Sequence, residues 1–439
     1  MPASSARQLA VQRLLRVEQE GAFVARLGGA VDPDAARRAS DYVAGVTRWR
    51  RWLDFQIAAF YRGDIDGLQP VLRQLLRVGF YDLLIRGTPP HAAVSETVRA
   101  TREALHKGAA GLANAVLRAG ARALDAGALP APRTGDRAED LAIRQSHPTW
   151  LVRRWLDRWS EADVEALLAA NNAPPTFGLR VNTLRASPDQ VRRQLDALGI
   201  AYEPSAWLDD LVTTRQLQPV LRSDLVQDGL LAVQDEGAAL VVRALAPRAG
   251  EVVLDAAAAP GGKAVYSAIR MGNEGRVVAL DVSEAKTALV REAADRHGTP
   301  IVETVAADLR AWRSEGAFDR VLLDAPCSGT GVLAKRADLR WNRRPADLAE
   351  LATLQDALLD AAARHVRPGG VLVYSTCSIE PEENGDRVDA FLKRHGDFSR
   401  QPIDTVPEPM RQPDGSYAAL PHVHGTDGAF AARLLRSQP

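Results

Sequence analysis

Cysteine is almost absent from this sequence: among 439 residues, only Cys327 and Cys377 are present. Two cysteines cannot build a disulfide framework or a cysteine-rich zinc site, and their scarcity favours a reducing, cytoplasmic location. Long apolar runs are absent too, so the sequence predicts no segment that spans a bilayer and no membrane partner. The eight histidines show no ligand spacing, and we therefore expect no metal.

Net charge is also absent, because 55 basic side chains balance 55 acidic ones. This balance argues against a nonspecific polybasic protein. It is uneven along the chain, since residues 1–130 carry 18 basic and 12 acidic side chains. A local basic excess is typical of a domain that contacts phosphates, although an arginine-rich surface can reach the same excess by chance.

Helical periodicity fills the first part of the chain. Apolar residues recur every three to four positions within 7–17, 41–60 and 68–85, and strand-like alternation is lacking. The pattern predicts an all-helical bundle over residues 1–130, and the basic excess of these residues favours RNA binding by the bundle. The opening segment has arginine and serine but no acid before Glu18, which is also typical of a transit peptide; we favour an amphipathic first helix.

A second, smaller unit follows a stretch rich in glycine and proline at 125–140, which we interpret as a linker. Residues 177–183 have the composition of a short strand. Ser187 and Pro188 would begin a helix, with serine as the cap and proline in the first position. These signals predict a small α/β module over residues 141–228, and because modules of this kind often contact RNA we assign RNA recognition to it.

A different rhythm begins near residue 230, where short runs rich in valine and leucine alternate with helical stretches. The runs lie at 252–256, 276–282, 302–308, 319–326 and 369–378. This alternation predicts a doubly wound, Rossmann-like parallel sheet over residues 229–439. The fold class is therefore multidomain: an all-α bundle, a small α/β module and a C-terminal α/β domain that binds its ligands at the carboxyl ends of its strands.

Residues 254–264, with the sequence LDAAAAPGGKA, join the first of these strands to a helix. The Pro-Gly-Gly turn lets backbone N–H groups approach a ligand closely. A dinucleotide site needs GxGxxG, which is absent, and a phosphate loop needs glycine at 257 and serine or threonine at 264, where alanine stands. S-adenosylmethionine needs only a tight turn, with acids for its ribose and amine.

Acids follow four successive strands in the same register, at 255, 281, 308 and 324. Helix capping explains one such acid but hardly four, so they favour cofactor binding. Lys263 is either a ligand or a surface charge, and we favour the ligand. The predicted cofactor-binding residues are Ala257, Ala258, Ala259, Pro260, Gly261, Gly262, Lys263, Asp281, Asp308 and Asp324.

Four short motifs resemble the RNA cytosine-C5 methyltransferase family. They are AAAAPGGK (256–263), DAPCSGTGV (324–332), STCSIEPEEN (375–384) and RVNT (180–183). The resemblance covers about residues 140–435, and the all-helical front is similar to the NusB antitermination family. It implies an S-adenosylmethionine-dependent enzyme, and the NusB-like pairing implies 16S ribosomal RNA as the partner. We expect a monomer. An RNA-binding assembly factor with an inactive methyltransferase domain is the alternative.

The chemistry of that family needs a thiol, because carbon 5 of cytosine is a poor nucleophile until a thiolate adds at carbon 6. The resemblance implies that Cys377 is the nucleophile, that Cys327 assists release and that Asp324 hydrogen-bonds the base edge. Related DNA enzymes use the cysteine that corresponds to Cys327 instead. A helix beginning near Pro381 would direct its positive end at Cys377, although neighbouring glutamates would oppose that effect.

Overall fold

The computed structural model describes residues 6–20 and 33–438. The chain divides into two compact units. The first unit consists of Met1–Asn172 and Lys335–Asn342, and the second of Ala173–Ala334 and Arg343–Pro439.

Helices dominate the described part of the first unit. In chain order they are α1 (Ala6–Glu20), α2 (Pro33–Phe60), α3 (Pro70–Leu84), α4 (Pro90–Ala104), α5 (Lys107–Asp125), α6 (Arg137–Arg144), α7 (Thr149–Leu156) and α8 (Glu161–Asn172). Helices α2, α3 and α5 pack together and bury Leu53, Leu76 and Leu117. The predicted helical bundle is confirmed. The opening segment is helical from Ala6, and its residues 1–5 lie outside the described part.

The linker predicted at 125–140 is shorter in the structure. Helix α6 begins at Arg137 because Asp136 caps it. The Asp136 carboxylate accepts hydrogen bonds from the backbone N–H groups of Ala138 at 3.0 Å and Glu139 at 3.4 Å. The acidic end of the predicted linker is therefore the first turn of a helix.

A small antiparallel sheet begins the second unit. Its elements are β1 (Phe177–Val181), α9 (Pro188–Ala197), β2 (Glu203–Pro204), β3 (Leu211–Thr214), α10 (Leu217–Leu221), α11 (Asp224–Gln227) and β4 (Leu231–Val233), with strand order β2-β3-β1-β4. As predicted, Ser187 caps α9. Its hydroxyl accepts the N–H of Gln190 at 3.2 Å, and the Gln190 side chain accepts the N–H of Ser187 at 2.8 Å. The predicted α/β module is confirmed.

A larger sheet follows along the chain. The elements are α12 (Glu236–Leu245), β5 (Val252–Asp255), α13 (Gly262–Arg270), β6 (Arg276–Asp281), α14 (Glu284–His297), β7 (Val302–Ala306), β8 (Phe318–Asp324), α15 (Leu339–Asn342), α16 (Pro345–Ala363), β9 (Val366–Thr376), α17 (Gly385–Arg394), β10 (Phe398–Gln401), β11 (Tyr417–Ala419), α18 (Pro421–His424) and β12 (Ala429–Arg436). The strand order is β10-β12-β9-β8-β5-β6-β7, and β11 pairs with β12. Helix α15 belongs to the first unit.

The centre of this sheet is parallel, as predicted, but one edge is antiparallel. Strands β9, β8, β5, β6 and β7 pair in parallel, whereas β12 pairs antiparallel with both β9 and β10. Strand β10 therefore runs in the direction of β9, and the last strand of the chain fills the gap between them in the opposite direction. The prediction of a Rossmann-like fold is confirmed, but the prediction of a purely parallel sheet was wrong.

Successive residues of the central strands point to opposite faces of the sheet. Val253 and Leu322 belong to one core, with helices α12 and α13, whereas Leu254 and Leu323 belong to the other, with α16 and α17. Because helices cover both faces, a ligand reaches the sheet at its strand ends. None of the described helices is both long and apolar enough to cross a membrane.

Candidate active site

The loop after β5 turns tightly into α13. Gly261 has a φ of 110°, which L side chains rarely adopt, and a Cβ atom there would lie 3.1 Å from Cα of Val290. Its carbonyl oxygen accepts the N–H of Val265 at 2.9 Å. A Cβ atom on Gly262 would meet nothing closer than the Gln234 side chain at 3.8 Å. This side of the turn therefore has room for a ligand.

The predicted cofactor loop offers backbone groups rather than polar side chains. The N–H of Ala258 donates to the carbonyl oxygen of Leu280 at 2.9 Å, which anchors the loop beside β6. The N–H groups of residues 262–264 have no acceptor in the described part of the chain. Free donors in the first turn of a helix favour anionic or strongly polar groups.

Asp281, at the end of β6, is tied to this loop. Its Oδ2 atom accepts the N–H of Ala259 at 3.1 Å, and its Oδ1 atom accepts the N–H of Val282 at 2.7 Å. The Nζ atom of Lys286 lies 3.1 Å from Oδ1. The Asp281 carboxylate therefore holds the loop after β5 in place at the carboxyl end of β6.

Asp308 is the predicted pocket residue with the loosest attachment. It lies two residues beyond β7, and its side chain is 41% exposed. Hydrogen bonds from the Arg310 side chain and backbone lower the pKa of Asp308 to about 2. Its carboxylate is therefore ionised at neutral pH and is engaged by a neighbour two residues along the chain.

Asp255 was counted among the strand-end acids but not among the predicted contacts. It is buried, and neither carboxylate oxygen makes a well-formed hydrogen bond in the described part of the chain. Burial raises the pKa of Asp255 to about 7, and the charge of Lys263 and the nearby N–H of Ala257 oppose that rise. A buried carboxyl that titrates near neutrality under the loop is a feature that sequence reasoning missed.

Lys263 and Asp324 form an ion pair. Nζ of Lys263 lies 2.5 Å from Oδ2 of Asp324, whose Oδ1 atom accepts the hydroxyl of Ser375 at 2.8 Å. Burial lowers the pKa of Lys263, but the Asp324 carboxylate outweighs it and the pKa is raised overall. Lys263 is thus a largely buried, ion-paired side chain rather than a surface charge.

The two cysteines meet at the ends of β8 and β9. Their Sγ atoms are 3.3 Å apart, and both side chains are partly exposed. The hydrogen bond with Cys377, followed by burial, raises the pKa of Cys327 well above its ordinary value. Among the described residues, no group of three or more His, Cys, Asp or Glu side chains could hold a metal ion.

The helix predicted near Pro381 is wrong. Pro381–Glu383 form a single 3₁₀ turn, and α17 begins only at Gly385. The helix is interrupted at Asn384, whose backbone lies outside the helical region at φ −117° and ψ −106° and whose side chain donates to the carbonyl oxygen of Ser378 at 2.9 Å. A helix starting at Pro381 therefore does not explain how Cys377 would be activated.

Several residues of this region were not predicted as site residues. The buried Glu383 carboxylate accepts a hydrogen bond from Nε2 of Gln355 at 3.1 Å. Arg343 donates from Nε to the carbonyl oxygen of Ser328 at 3.0 Å and from its terminal nitrogen to that of Cys327 at 3.1 Å. The paired glutamates of the last motif were the available signal for Glu383, whereas no sequence pattern singled out Arg343.

Trp341 packs within the first unit. Its Nε1 atom donates to the carbonyl oxygen of Thr47 at 2.6 Å, and the Arg50 guanidinium lies 4.4 Å from its ring centre. The neighbouring Arg340 is buried and donates to the carbonyl oxygen of Ser146 at 3.1 Å. These contacts favour structural packing for Trp341 over base stacking.

Comparisons with known proteins agree along the whole chain. Residues 242–435 match the family described as 16S rRNA methyltransferase RsmB/F, residues 4–122 the NusB family, and residues 147–221 the ferredoxin-like domain of RsmF/B-like methyltransferases.

Individual relatives match over almost their full lengths. The probable ribosomal RNA small subunit methyltransferase B of Bacillus subtilis is 34% identical, covering 99% of this chain and 100% of the relative. The ribosomal RNA small subunit methyltransferase B of Serratia proteamaculans is 36% identical, covering 89% and 88%. A crystal structure described as PH0851 is 27% identical, with a TM-score of 0.78 and 99% of each chain covered.

Proposed function

The chain belongs to the RsmB/F family of 16S rRNA methyltransferases, and from that membership we propose that it methylates carbon 5 of a cytosine in 16S ribosomal RNA. The observation that carries this proposal is the pair of thiols 3.3 Å apart, beside the ion pair of Lys263 and Asp324. A methyltransferase acting on a ring nitrogen or a ribose hydroxyl needs no thiol, whereas carbon 5 of a pyrimidine does.

S-adenosylmethionine is the cofactor of this methyltransferase family, and the residues present fit it. The free N–H groups at 262–264 match its polar amino-acid end, and the lack of a side chain at Gly262 leaves that side of the turn open. Asp281 stands where an acid at the end of the second strand takes ribose hydroxyls. When bound, the cofactor supplies an electrophilic methyl group.

Cys377 acts as the nucleophile in this proposal. Its Sγ atom forms a bond to carbon 6 of the cytosine, and the electron pair of the 5,6 double bond moves towards carbon 5, which can then accept a methyl group. The proton of the Cys377 thiol passes to water as its bond to carbon 6 forms. After methyl transfer a water molecule acting as base takes the proton from carbon 5, and the electron pair of that C–H bond re-forms the double bond as the bond between Sγ and carbon 6 breaks. Cys327 assists that release, because its thiol is close enough to hydrogen-bond the departing sulfur.

Asp324 and Lys263 hold the base in this proposal. The carboxylate is fixed by Lys263 on one oxygen and Ser375 on the other, so its remaining lone pairs have a defined direction. It accepts a hydrogen bond from the base edge, and the ammonium group of Lys263 offsets negative charge that develops on the ring. Positioning and charge are thereby supplied by one ion pair.

The first unit has a surface that suits ribosomal RNA. A groove of about 880 Å³ lies between α4 and α5, and its lining includes the exposed Arg99, Arg102, Arg118 and Arg122, which we call the arginine groove. In the described part of the chain none of these four forms an ion pair, although Glu103 and Asp125 also line the groove. Unpaired arginines favour contacts with phosphates.

Methylation of 16S rRNA by the purified full-length chain tests the function. In the first experiment, the protein is incubated with labelled cofactor and 16S rRNA. In the second, bisulfite sequencing compares rRNA from a deletion strain with rRNA from its parent. One cytosine that is protected in the parent and converted in the deletion strain is the expected result. Label incorporated at another base would contradict the cytosine assignment, and RNA binding without any methyl transfer would favour an assembly factor.

A further inference from the structure

The serine that follows each cysteine is buried, although the cysteines themselves are partly exposed. Ser328 comes after Cys327 and Ser378 after Cys377, and the two serine hydroxyls lie 3.1 Å apart. Each loop therefore presents sulfur at the mouth of the site and a hydroxyl to the interior. The two loops meet twice, once at the sulfurs and once at the hydroxyls.

One carboxylate, that of Glu383, joins both serines. Its Oε2 atom accepts the hydroxyls of Ser378, at 2.5 Å, and of Ser328. Its Oε1 atom accepts the backbone N–H of Ser328 at 2.8 Å and Nε2 of Gln355 at 3.1 Å. All four partners donate, which favours an ionised carboxylate.

This carboxylate is fully buried and has no ion-pair partner among the described residues. A buried charge without a counter-ion is costly, so hydrogen bonds alone stabilise it. The hydrogen bond with Cys377 and burial are the larger causes that raise the pKa of Cys327, and the negative charge of Glu383 adds to them in the same direction. Burying the Glu383 carboxylate is therefore costly, but it makes the electrostatic environments of the two thiols different.

We propose that Glu383 is the positioning residue of the thiol pair: its carboxylate fixes both cysteine loops and keeps the proton on Cys327. The inference rests on the proposed roles of the two cysteines. Because Cys327 stays protonated, it can donate a hydrogen bond to Cys377 and leave the second sulfur free to attack carbon 6. The two thiols then differ through a residue that contacts neither substrate nor cofactor.

Other charged groups around Cys327 do not supply the same asymmetry. The carboxylate of Asp324 also opposes a thiolate at Cys327, but Lys263 neutralises it across 2.5 Å. Arg343 contacts the carbonyl oxygen of Cys327 rather than its sulfur. Of these two carboxylates, Glu383 is therefore the one that forms no ion pair within the described residues.

Alkylation of the free full-length protein tests the charge. With only two cysteines in the chain, mass spectrometry of iodoacetamide-treated peptides reports each thiol separately. In Glu383→Gln, Cys327 should be alkylated about tenfold faster at pH 8, because removing the negative charge lowers the pKa of Cys327 and raises its thiolate fraction. Asp386→Asn, an exposed neighbour that loses the same charge, should match the wild type.

Ser378→Ala separates charge from loosening of the loops. It removes the hydrogen bond to Glu383 and the other contacts of the same hydroxyl, with Ser328, Thr330 and the N–H of Glu380, but it keeps the carboxylate. Cys327 alkylation should therefore stay within about twofold of wild type, while kcat for methyl transfer falls about tenfold with KM for RNA nearly unchanged. Equal acceleration of Cys327 in Ser378→Ala and Glu383→Gln, or none in Glu383→Gln, overturns the charge role. An unchanged kcat in Ser378→Ala overturns the positioning role, even if Glu383→Gln does not fold.

Different results would contradict the inference about Glu383 and the proposed function. Thiol alkylation uses neither RNA nor cofactor, so it reports on Glu383 even if the wild-type protein methylates no cytosine. Cytosine methylation by the wild type, together with wild-type alkylation in Glu383→Gln, would remove the inference about Glu383 and leave the proposed function intact.

Discussion

Asp281 accepts a hydrogen bond of 3.1 Å from the backbone N–H of Ala259, so the acid at the end of β6 holds the loop after β5 in place. The same carboxylate lies 3.1 Å from Lys286. One side chain thus shapes the proposed cofactor loop and, in the proposed pocket, would also offer charge to the cofactor. Removing this carboxylate should therefore loosen the loop and weaken cofactor binding. Comparing Asp281→Ala with Asp281→Asn separates these two effects.

Asp281→Ala should weaken S-adenosylmethionine binding about tenfold to a hundredfold, because each lost hydrogen bond to a charged acceptor costs about 1.5–3 kcal/mol. Asp281→Asn keeps an acceptor for Ala259 and should lose less. Asp308→Ala should lose no more than about threefold, because that carboxylate is exposed and engaged by Arg310. Calorimetry measures the dissociation constant of S-adenosylmethionine for the three variants. Full affinity in Asp281→Ala would contradict the assignment of Asp281 to the cofactor pocket.

Asp255 should make stability depend on pH. An unfolded aspartate titrates near 4, whereas burial raises the pKa of Asp255 to about 7 in the folded chain. Between those values the unfolded state gives up its proton first, so this residue lowers the free energy of unfolding as pH rises from about 4 to about 7, with no further change above.

Asp255→Asn removes that titration and keeps the shape of the side chain. Its gain in the free energy of unfolding over wild type should therefore be larger at pH 8 than at pH 5, by about 2–3 kcal/mol. Urea denaturation at the two pH values measures the difference, with the exposed Asp386→Asn as the control. The same gain at both pH values would mean that the folded Asp255 is ionised throughout.

Much of the fold was predictable because it follows local rules. Helical spacing located the first bundle, and short apolar runs located the central strands, since buried parallel strands read as continuous valine and leucine. The antiparallel edge was missed because the pairing of β12 with β9 joins Phe430 to Thr376. No local pattern specifies a partner so distant in sequence.

The grouping of the site residues was predictable where these residues follow parallel strands, because the carboxyl ends of such strands meet at one edge of the sheet. Acids and cysteines after parallel strands had to lie at one edge, which brought Cys327 to Cys377 and Lys263 to Asp324. The buried role of Glu383 was not predictable, because Glu380 and Glu383 are both buried whereas the adjacent Glu382 is partly exposed, and the composition of the motif does not distinguish them. The high pKa of Asp255 likewise depends on burial, which composition does not report.

The arginine groove should contribute affinity for RNA without contributing chemistry. Truncation at residue 130 would cut through the first unit, which continues to Asn172, so charge reversal is the sharper test. Arg118→Glu should weaken 16S rRNA binding about tenfold and reduce the salt slope of the binding constant by about one, because one phosphate contact is lost.

Arg62→Glu is the matched control for Arg118→Glu, since Arg62 is also an exposed arginine of the first unit but does not line the groove. Filter binding at several salt concentrations measures both variants, and calorimetry should find their cofactor affinity unchanged. Equal losses in the two variants would mean that net charge, rather than the groove, attracts the RNA. No loss in Arg118→Glu would give the groove another partner.

The two thiols should give opposite results when each is removed. If Cys377 attacks carbon 6, Cys377→Ala should form no covalent complex with RNA, even with 5-fluorocytosine, because Cys327 is the other cysteine of the chain and is held as a thiol. If Cys327 assists release, Cys327→Ala should keep the bond between Sγ and carbon 6 and accumulate an adduct on ordinary cytosine RNA.

A denaturing gel distinguishes these outcomes, because a covalent protein–RNA complex migrates as a shifted band. The band should appear with Cys327→Ala and disappear in the Cys327→Ala, Cys377→Ala double variant. An adduct from Cys377→Ala and none from Cys327→Ala would make Cys327 the nucleophile, as in the related DNA enzymes. Absence of adduct from both would contradict the release role, since a sulfur 3.3 Å from the nucleophile would then be needed before attack rather than after it.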